Sequence, residues 1–171
     1  MKIKGLQDED FVNYKVPAMF ISMPYCSFKC DKELVYAVCQ NMALDDQPTH
    51  DIDRDYIVER YRRNSITQAI VFGGLEPMDS FDELIDFIRY CRESWFDMST
   101  GICYIHGHIM DDIVIYTGYN KDEIEDKIEE LKKYPNIVVK FGRYIPNQQH
   151  HFDEVLGVYL ASDNQYAEKI S

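Results

Sequence analysis

The chain has 171 residues with 46% hydrophobic side chains, and its 18 basic and 30 acidic residues give a net charge of −12. This length and composition predict one domain, residues 1–171, with a packed core, and they argue against a disordered chain. A surface this acidic repels phosphate backbones, which argues against nucleic acid as a partner, and no apolar run approaches the ~20 residues that a membrane span needs.

Strands and helices are predicted to alternate along the chain. A short apolar run predicts a buried strand at 17–24, and a cysteine-containing loop leads from it to a helix at 51–64. The remaining predicted elements, in order, are a strand at 69–72, a helix after a Ser80–Glu83 capping box, a strand at 113–116, a helix at 121–134 after an Asn120–Glu123 capping box, a strand at 137–141 and a fifth strand at 155–161.

This alternation predicts the fold class. Continuous apolar strands separated by helices favour a parallel sheet covered by helices. Right-handed crossovers would place the strands in chain order, as in a β/α barrel, but four or five strands are too few to close a barrel of eight. The sequence therefore predicts an α/β fold, specifically a partial, open β/α barrel with a mostly parallel sheet.

The most distinctive motifs all follow predicted strands. They are the cysteine loop at 25–41, Gly-Gly-Leu-Glu-Pro at 73–77, Thr-Gly-Tyr at 117–119 and Phe-Gly-Arg at 141–143. The two glycines allow either close approach of the backbone to a ligand or backbone angles closed to other residues. Because ligands of parallel sheets bind at the carboxyl ends of the strands, the sequence predicts one functional site where these motifs meet.

Cysteine is the residue type that indicates the chemistry. The five cysteines are Cys26, Cys30, Cys39, Cys91 and Cys103. An odd number, in a chain whose first residues lack the apolar stretch of a signal peptide, argues against a disulfide framework and leads us to expect a cytoplasmic protein.

The first three cysteines lie within fourteen residues. Three thiolates can bind a metal or cluster and leave one coordination position free, unlike a closed structural zinc site. The alternative, that they pack as small apolar residues, is disfavoured by Phe28 and Lys29 between them.

The Cys-x3-Cys loop followed by Gly-Gly-Leu-Glu-Pro resembles the radical S-adenosylmethionine (SAM) superfamily. Within it, the chain resembles the activating proteins of anaerobic ribonucleotide reductases. That closer resemblance depends on Ile-Tyr-Thr-Gly-Tyr at 115–119, Gly-Arg-Tyr at 142–144 and Ser-Asp-Asn-Gln at 162–165. It extends from about residue 15 to residue 167, so it covers most of the chain.

The resemblance implies a specific activity. A 4Fe–4S cluster would bind SAM at its fourth iron and cleave it to methionine and a deoxyadenosyl radical, which would take a hydrogen from a glycine of the reductase large subunit. An electron donor such as flavodoxin or ferredoxin would supply the reducing electron. The cluster ligands implied are Cys26, Cys30 and Cys39, and the residues of the cofactor site are Gly73, Gly74, Leu75, Glu76, Pro77, Thr117, Gly118 and Asn164.

The cysteine loop departs from the superfamily's usual Cys-x3-Cys-x2-Cys pattern. Position 33 is Glu, and the next cysteine, Cys39, comes six residues later than expected. Cys-Gln-Asn at 39–41 resembles the Cys-aromatic-Asn that ends the usual loop, so we interpret the difference as a six-residue insertion with Cys39 as the third ligand. The alternatives are a degenerate site with only two cysteine ligands, or Glu33 as an oxygen ligand, although a carboxylate suits harder ions than those of such a cluster.

Other interpretations stay open at this point. The segment 95–111 looks inserted relative to the family, and Cys103, His106 and His108 within it could form a zinc site, although the alternation of polar and apolar residues there also suits an edge strand. The chain could instead act on another peptide or small substrate, or could be an iron–sulfur protein that does not cleave SAM. Residues 73–77 argue against the last of these, because a plain cluster carrier does not need them.

Overall fold

The computed structural model describes residues 1–34, 37–92, 95–97, 102–104 and 109–171, and for residues 34, 95–97 and 102–104 it describes the backbone only. The strands in these ranges are β1 (Lys2–Ile3), β2 (Gly5–Asp10), β3 (Ala18–Ser22), β4 (His50–Asp51), β5 (Ala69–Gly73), β6 (Trp95–Asp97), β7 (Ile102–Tyr104), β8 (Asp112–Tyr116), β9 (Ile137–Phe141), β10 (His151–Asp153), β11 (Val158–Leu160) and β12 (Tyr166–Lys169). The helices are α1 (Lys29–Leu34), α2 (Met42–Asp45), α3 (Arg54–Arg63), α4 (Phe81–Arg92) and α5 (Glu125–Leu131).

A mixed sheet with the strand order β12-β9-β8-β5-β3-β2 forms the centre of the fold. The four inner strands β3, β5, β8 and β9 are parallel and lie side by side in chain order. The two edge strands, β2 and β12, each pair antiparallel with their neighbour. The predicted α/β class, the mostly parallel sheet and the sequential order of its strands are therefore confirmed.

The two faces of the sheet differ in what covers them. Alternation along β5 places Ile70 and Phe72 in a large apolar cluster with residues of α3, α4 and α5, whereas Ala69 and Val71 belong to a smaller cluster on the opposite face. Small side chains dominate the strands on that opposite face, and Tyr14, Leu156 and Leu160 cover part of it. The rest of this face has room for a cavity.

One expectation about the strands was wrong, and two edge strands were not predicted. The predicted fifth strand at 155–161 contains β11, but β11 pairs with β10 in a separate antiparallel hairpin instead of joining the central sheet. The strands that complete the sheet are β2 and β12, whose sequences Gly-Leu-Gln-Asp-Glu-Asp and Tyr-Ala-Glu-Lys are polar. Edge strands tolerate such residues because one side faces solvent, so an apolar pattern does not mark them.

Helix starts also differ from the capping patterns in one case. A 3₁₀ turn, Pro77–Ser80, precedes α4, and its N-cap is Glu76, whose side chain accepts a hydrogen bond from the Met78 N–H. Helix α4 begins directly after Ser80, as predicted, but Ser80 is the last residue of this turn, and the Glu83 carboxylate accepts a hydrogen bond from the Lys2 N–H. The Asn120–Glu123 capping box is confirmed, but the helix predicted at 121–134 divides into a 3₁₀ turn, Lys121–Glu123, and α5.

The segment 95–111 contains a short antiparallel hairpin formed by β6 and β7. The Cys103 side chain, His106 and His108 lie outside the described residues, so a zinc site there stays a prediction. Among the helices of the described ranges, none is long and apolar enough to cross a bilayer.

Candidate functional site

A cavity of about 530 Å³ lies at the carboxyl ends of the parallel strands, on the sheet face away from α3, α4 and α5. Its walls come from the cysteine loop, from residues 73–76 after β5, from 116–118 at the end of β8 and from 140–144 at the end of β9. The fold thus brings together, around one space, the motifs that the sequence places after successive strands.

Three cysteines, Cys26, Cys30 and Cys39, line the same cavity. Burial raises the pKa of the Cys26 thiol to about 12, against a hydrogen bond from the Phe28 N–H, and the charge of Glu76 adds to the increase. Burial likewise raises the pKa of Cys30 to about 11, with a further contribution from the neighbouring Cys39 thiol. In the free protein both thiols are protonated at neutral pH, so binding of a metal as thiolates releases protons.

The donor set fits an iron–sulfur cluster better than a single ion. Within the described residues, no three Cys, His, Asp or Glu side chains converge as a site for one metal ion. A 4Fe–4S cluster has a different requirement, because each thiolate bonds a different iron and the sulfur atoms are spread around the cluster. Cys26, Cys30 and Cys39 all line the one cavity, which such a cluster would require.

Glu33, the alternative ligand, has another partner. Its carboxylate oxygen lies 3.2 Å from Nη2 of Arg143, and its side chain is 55% exposed. Arg143 also forms two hydrogen bonds, of 2.6 and 2.7 Å, with the carboxylate of Glu123. Through Arg143, these contacts connect Glu33 of helix α1 to the segments that follow β9 and β8, so the Glu33 carboxylate has an ion-pair partner outside the cysteine loop.

Glu76 connects the ends of two parallel strands. Oε1 accepts hydrogen bonds from the Met78 N–H at 3.0 Å and the Thr117 hydroxyl at 2.6 Å, and Oε2 accepts from the Gly118 N–H at 2.8 Å. Burial raises the pKa of this carboxyl, although the three hydrogen bonds oppose the increase. Thr117 and Gly118, both predicted to lie in the cofactor site, therefore line the cavity while their polar groups bind Glu76.

The backbone conformation at position 74 favours glycine for reasons within the protein, without any ligand. Its φ is +74°, and a Cβ there would lie 2.8 Å from Cδ2 of Leu44 and 3.1 Å from Cβ of Ser22. Gly74 therefore serves the second of the two roles considered for the glycine pair, a backbone conformation closed to other residues. Leu75 is buried in the cavity wall, and Pro77 lies behind it as the first residue of the 3₁₀ turn.

The motif at 162–165 supports the wall formed by residues 142–144. Nδ2 of Asn164 donates a 2.9 Å hydrogen bond to the carbonyl of Arg143, and Nε2 of Gln165 donates to the carbonyl of Gly142 at 3.3 Å. Gly142 has a φ of +93°, and a Cβ there would lie 2.9 Å from the Asn164 carbonyl oxygen. Asn164 thus fixes the position of Arg143 from behind, while Gln165 lines the cavity.

Sequence reasoning missed Lys140 as a site residue. The side chain lines the cavity although it is only 6% exposed, and Nζ donates a 2.8 Å hydrogen bond to the carbonyl of Gly142. Burial lowers the pKa of Lys140 to about 8, against the opposing charge of Glu76. The feature of the sequence that could have indicated this role is the single lysine in the otherwise apolar run Ile-Val-Val-Lys-Phe of β9.

Comparisons of the chain with protein-family models, with curated proteins and with solved structures found no match. The function of the protein is therefore inferred from the cavity and from the residues around it.

Proposed function

We propose that the protein is a radical SAM enzyme that activates a glycyl-radical anaerobic ribonucleotide reductase. The observation that carries the proposal is the position of three cysteines and the segment 73–76 around one cavity, at the carboxyl ends of parallel strands in chain order. In this proposal the sheet, with its helices on one face, is an open partial β/α barrel whose inner face holds the cofactors.

Each part of the cavity wall has a role in this proposal. Cys26, Cys30 and Cys39 hold the 4Fe–4S cluster, which when bound supplies the electron that cleaves SAM. The polar atoms of Glu76 already have three hydrogen-bond donors, so its side chain shapes the loop. The backbone of residues 73–75 then provides the polar contacts to the amino group of SAM.

Exposed side chains at the rim of the cavity are consistent with a macromolecular partner that covers it. Val12 and Tyr159 line the cavity, yet their side chains are 71% and 74% exposed. Large apolar side chains on an open rim are typical of surfaces that a partner covers. A reactive radical must be kept from water, and a partner inserting a flexible glycine-containing segment would close the cavity.

Charge indicates the character of that partner. With a net charge of −12, the protein attracts a relatively basic surface, and association should weaken as salt screens the charges. The large subunit of the reductase would present this surface, and flavodoxin or ferredoxin would deliver electrons to the cluster.

Cleavage of SAM tests the enzymatic part of the proposal. Anaerobically reconstituted protein, reduced with dithionite and given SAM, should release deoxyadenosine and methionine, measured by liquid chromatography. The Cys30→Ala variant should release none, whereas Cys91→Ala, changed on the core-facing side of α4, should retain activity. A wild-type protein with a full cluster and no deoxyadenosine release would favour an iron–sulfur protein without SAM chemistry.

The partner is tested separately by electron paramagnetic resonance. A mixture of the reduced protein, SAM and an anaerobic reductase encoded beside it should develop a doublet from a glycyl radical only when all components are present. Deoxyadenosine release without a radical on such a reductase would indicate a different peptide or small substrate.

A further inference from the structure

The loop between Cys30 and Cys39 has to return to its starting point if both thiols are to bind one cluster. Eight residues separate the two cysteines, and the first four of them, residues 31–34, belong to helix α1; bringing the two ends of such a connection together costs conformational entropy. A specific contact between the two ends is therefore needed to hold Cys39 beside Cys30.

Asp31 provides that contact. Its Oδ1 accepts hydrogen bonds from the backbone N–H of Val38 at 2.7 Å and from that of Cys39 at 2.9 Å. Two successive N–H groups pointing at one oxygen form an anion-binding concavity, and hydrogen bonds to a charged acceptor are about twice as strong as neutral ones. The contact fixes both the position and the orientation of the peptide that carries Cys39.

We propose that Asp31 is a positioning residue for the third cluster ligand, a role that depends on the proposed function. Asp31 follows Cys30 directly in the chain, so a contact from its carboxylate to residues 38 and 39 necessarily places Cys39 close to Cys30. The neighbouring thiol of Cys30 lies 3.9 Å from the same Oδ1.

Asp31 and Glu33 each contact a different part of the structure around the cysteine loop. Glu33, two residues further along α1, pairs with Arg143 and attaches the helix to the central sheet. The Asp31 carboxylate instead accepts hydrogen bonds from the far end of the loop and lies beside the adjacent Cys30 thiol. The two carboxylates on one short helix therefore provide a matched pair of variants.

The first test uses the free protein, without iron. Diamide oxidises two neighbouring thiols to a disulfide and takes up their two electrons and two protons, so the rate of Cys30–Cys39 disulfide formation reports how close the thiols are. Peptide mass mapping should show this bond in the wild type and an about tenfold slower formation in Asp31→Ala, the effect expected when hydrogen bonds to a charged group are lost. Asp31→Asn retains Oδ1 as a neutral acceptor and should fall between Asp31→Ala and the wild type, and Glu33→Gln should match the wild type.

The second test measures iron and sulfide after anaerobic reconstitution. Asp31→Ala should lose most of the cluster, and Asp31→Asn should retain more of it than Asp31→Ala. Equal disulfide rates and equal iron content in Asp31→Ala and wild type would overturn the role of Asp31. A wild-type protein that binds no iron would instead refute the proposed function, and the disulfide rates would still decide whether Asp31 positions Cys39.

Discussion

The hydroxyl of Thr117 donates a 2.6 Å hydrogen bond to Oε1 of Glu76, across the boundary between strands β5 and β8. Thr117 is 1% exposed, and its Oγ1 also accepts a hydrogen bond from the Tyr119 N–H at 3.0 Å. One hydroxyl thus joins the loop after β5 to the loop after β8, and both loops form walls of the cavity. The shape of the cavity depends on this contact.

Replacing Thr117 by Val should destabilise the protein more than replacing it by Ser. Val retains the methyl group and removes the hydroxyl, which leaves the buried Glu76 carboxylate short of one donor and costs about 1–3 kcal/mol. Ser retains the hydroxyl and loses one methyl group, worth about 0.8 kcal/mol. Urea unfolding measures both, and a larger loss for Ser than for Val would show that the hydrogen bond contributes little.

Gly74→Ala should lower the free energy of unfolding in the absence of any cofactor. The positive φ and the 2.8 Å approach to Leu44 both oppose a Cβ at this position, and such a change typically costs about 1–3 kcal/mol. Gly118→Ala is the control, because its Cβ would lie 3.4 Å from Oε2 of Glu76, its nearest neighbour. If thermal unfolding of the free protein were unaffected by Gly74→Ala, ligand approach would be the better explanation of the glycine.

The central sheet was predictable from sequence because each of its inner strands is a short apolar run. Ile70 and Phe72 face helices while Val71 faces the opposite side, and burial on both faces leaves a continuous apolar pattern. The polar edge strands β2 and β12 had no such pattern and were missed. The Ser80–Glu83 pattern correctly marked the residue before α4, which begins at Phe81, but it did not show the 3₁₀ turn that Glu76 and Pro77 begin ahead of the helix.

The motifs of the cavity wall were predictable, but their contacts were not. Sequence spacing placed residues 73–77 and Thr117 at strand ends, yet it could not show that Glu76 binds Thr117 and Gly118. The contact joins residues 41 positions apart and exists only once β5 and β8 are paired. Lys140 was missed for a similar reason, since only the folded sheet shows that its side chain lines a cavity.

The Lys140→Met variant should differ from the wild type in how stability depends on pH. Burial lowers the pKa of Lys140 to about 8, whereas an exposed lysine titrates at about 10.4. Between these values the unfolded chain binds the proton more tightly, so the folded wild type gains stability from this group as the pH rises. Met cannot titrate, so the free energy of unfolding of the variant minus that of the wild type should fall between pH 8 and about 10.

Chemical denaturation at several pH values measures this difference, and comparison with the wild type removes the contribution of the cysteines. Lys133→Met, at an exposed position of the chain, is the control for loss of one positive charge. A difference between Lys140→Met and wild type that does not change with pH would show that Lys140 keeps an ordinary pKa.

Variants of the cysteine loop should identify the cluster ligands. Ala at position 26, 30 or 39 should each abolish the about four iron and four sulfide per chain expected for one cluster. Glu33→Gln should bind the normal amount, because the Glu33 carboxylate pairs with Arg143. A cluster that survives Cys39→Ala but not Glu33→Gln would contradict the assignment.

The most direct test of the central claim is the electron paramagnetic resonance spectrum of the reduced, reconstituted protein with and without SAM. If three cysteines hold a 4Fe–4S cluster, one iron is left without a protein ligand, and the g values and line shape of the reduced cluster should change when SAM is added. A reduced cluster whose spectrum is the same with and without saturating SAM would contradict it.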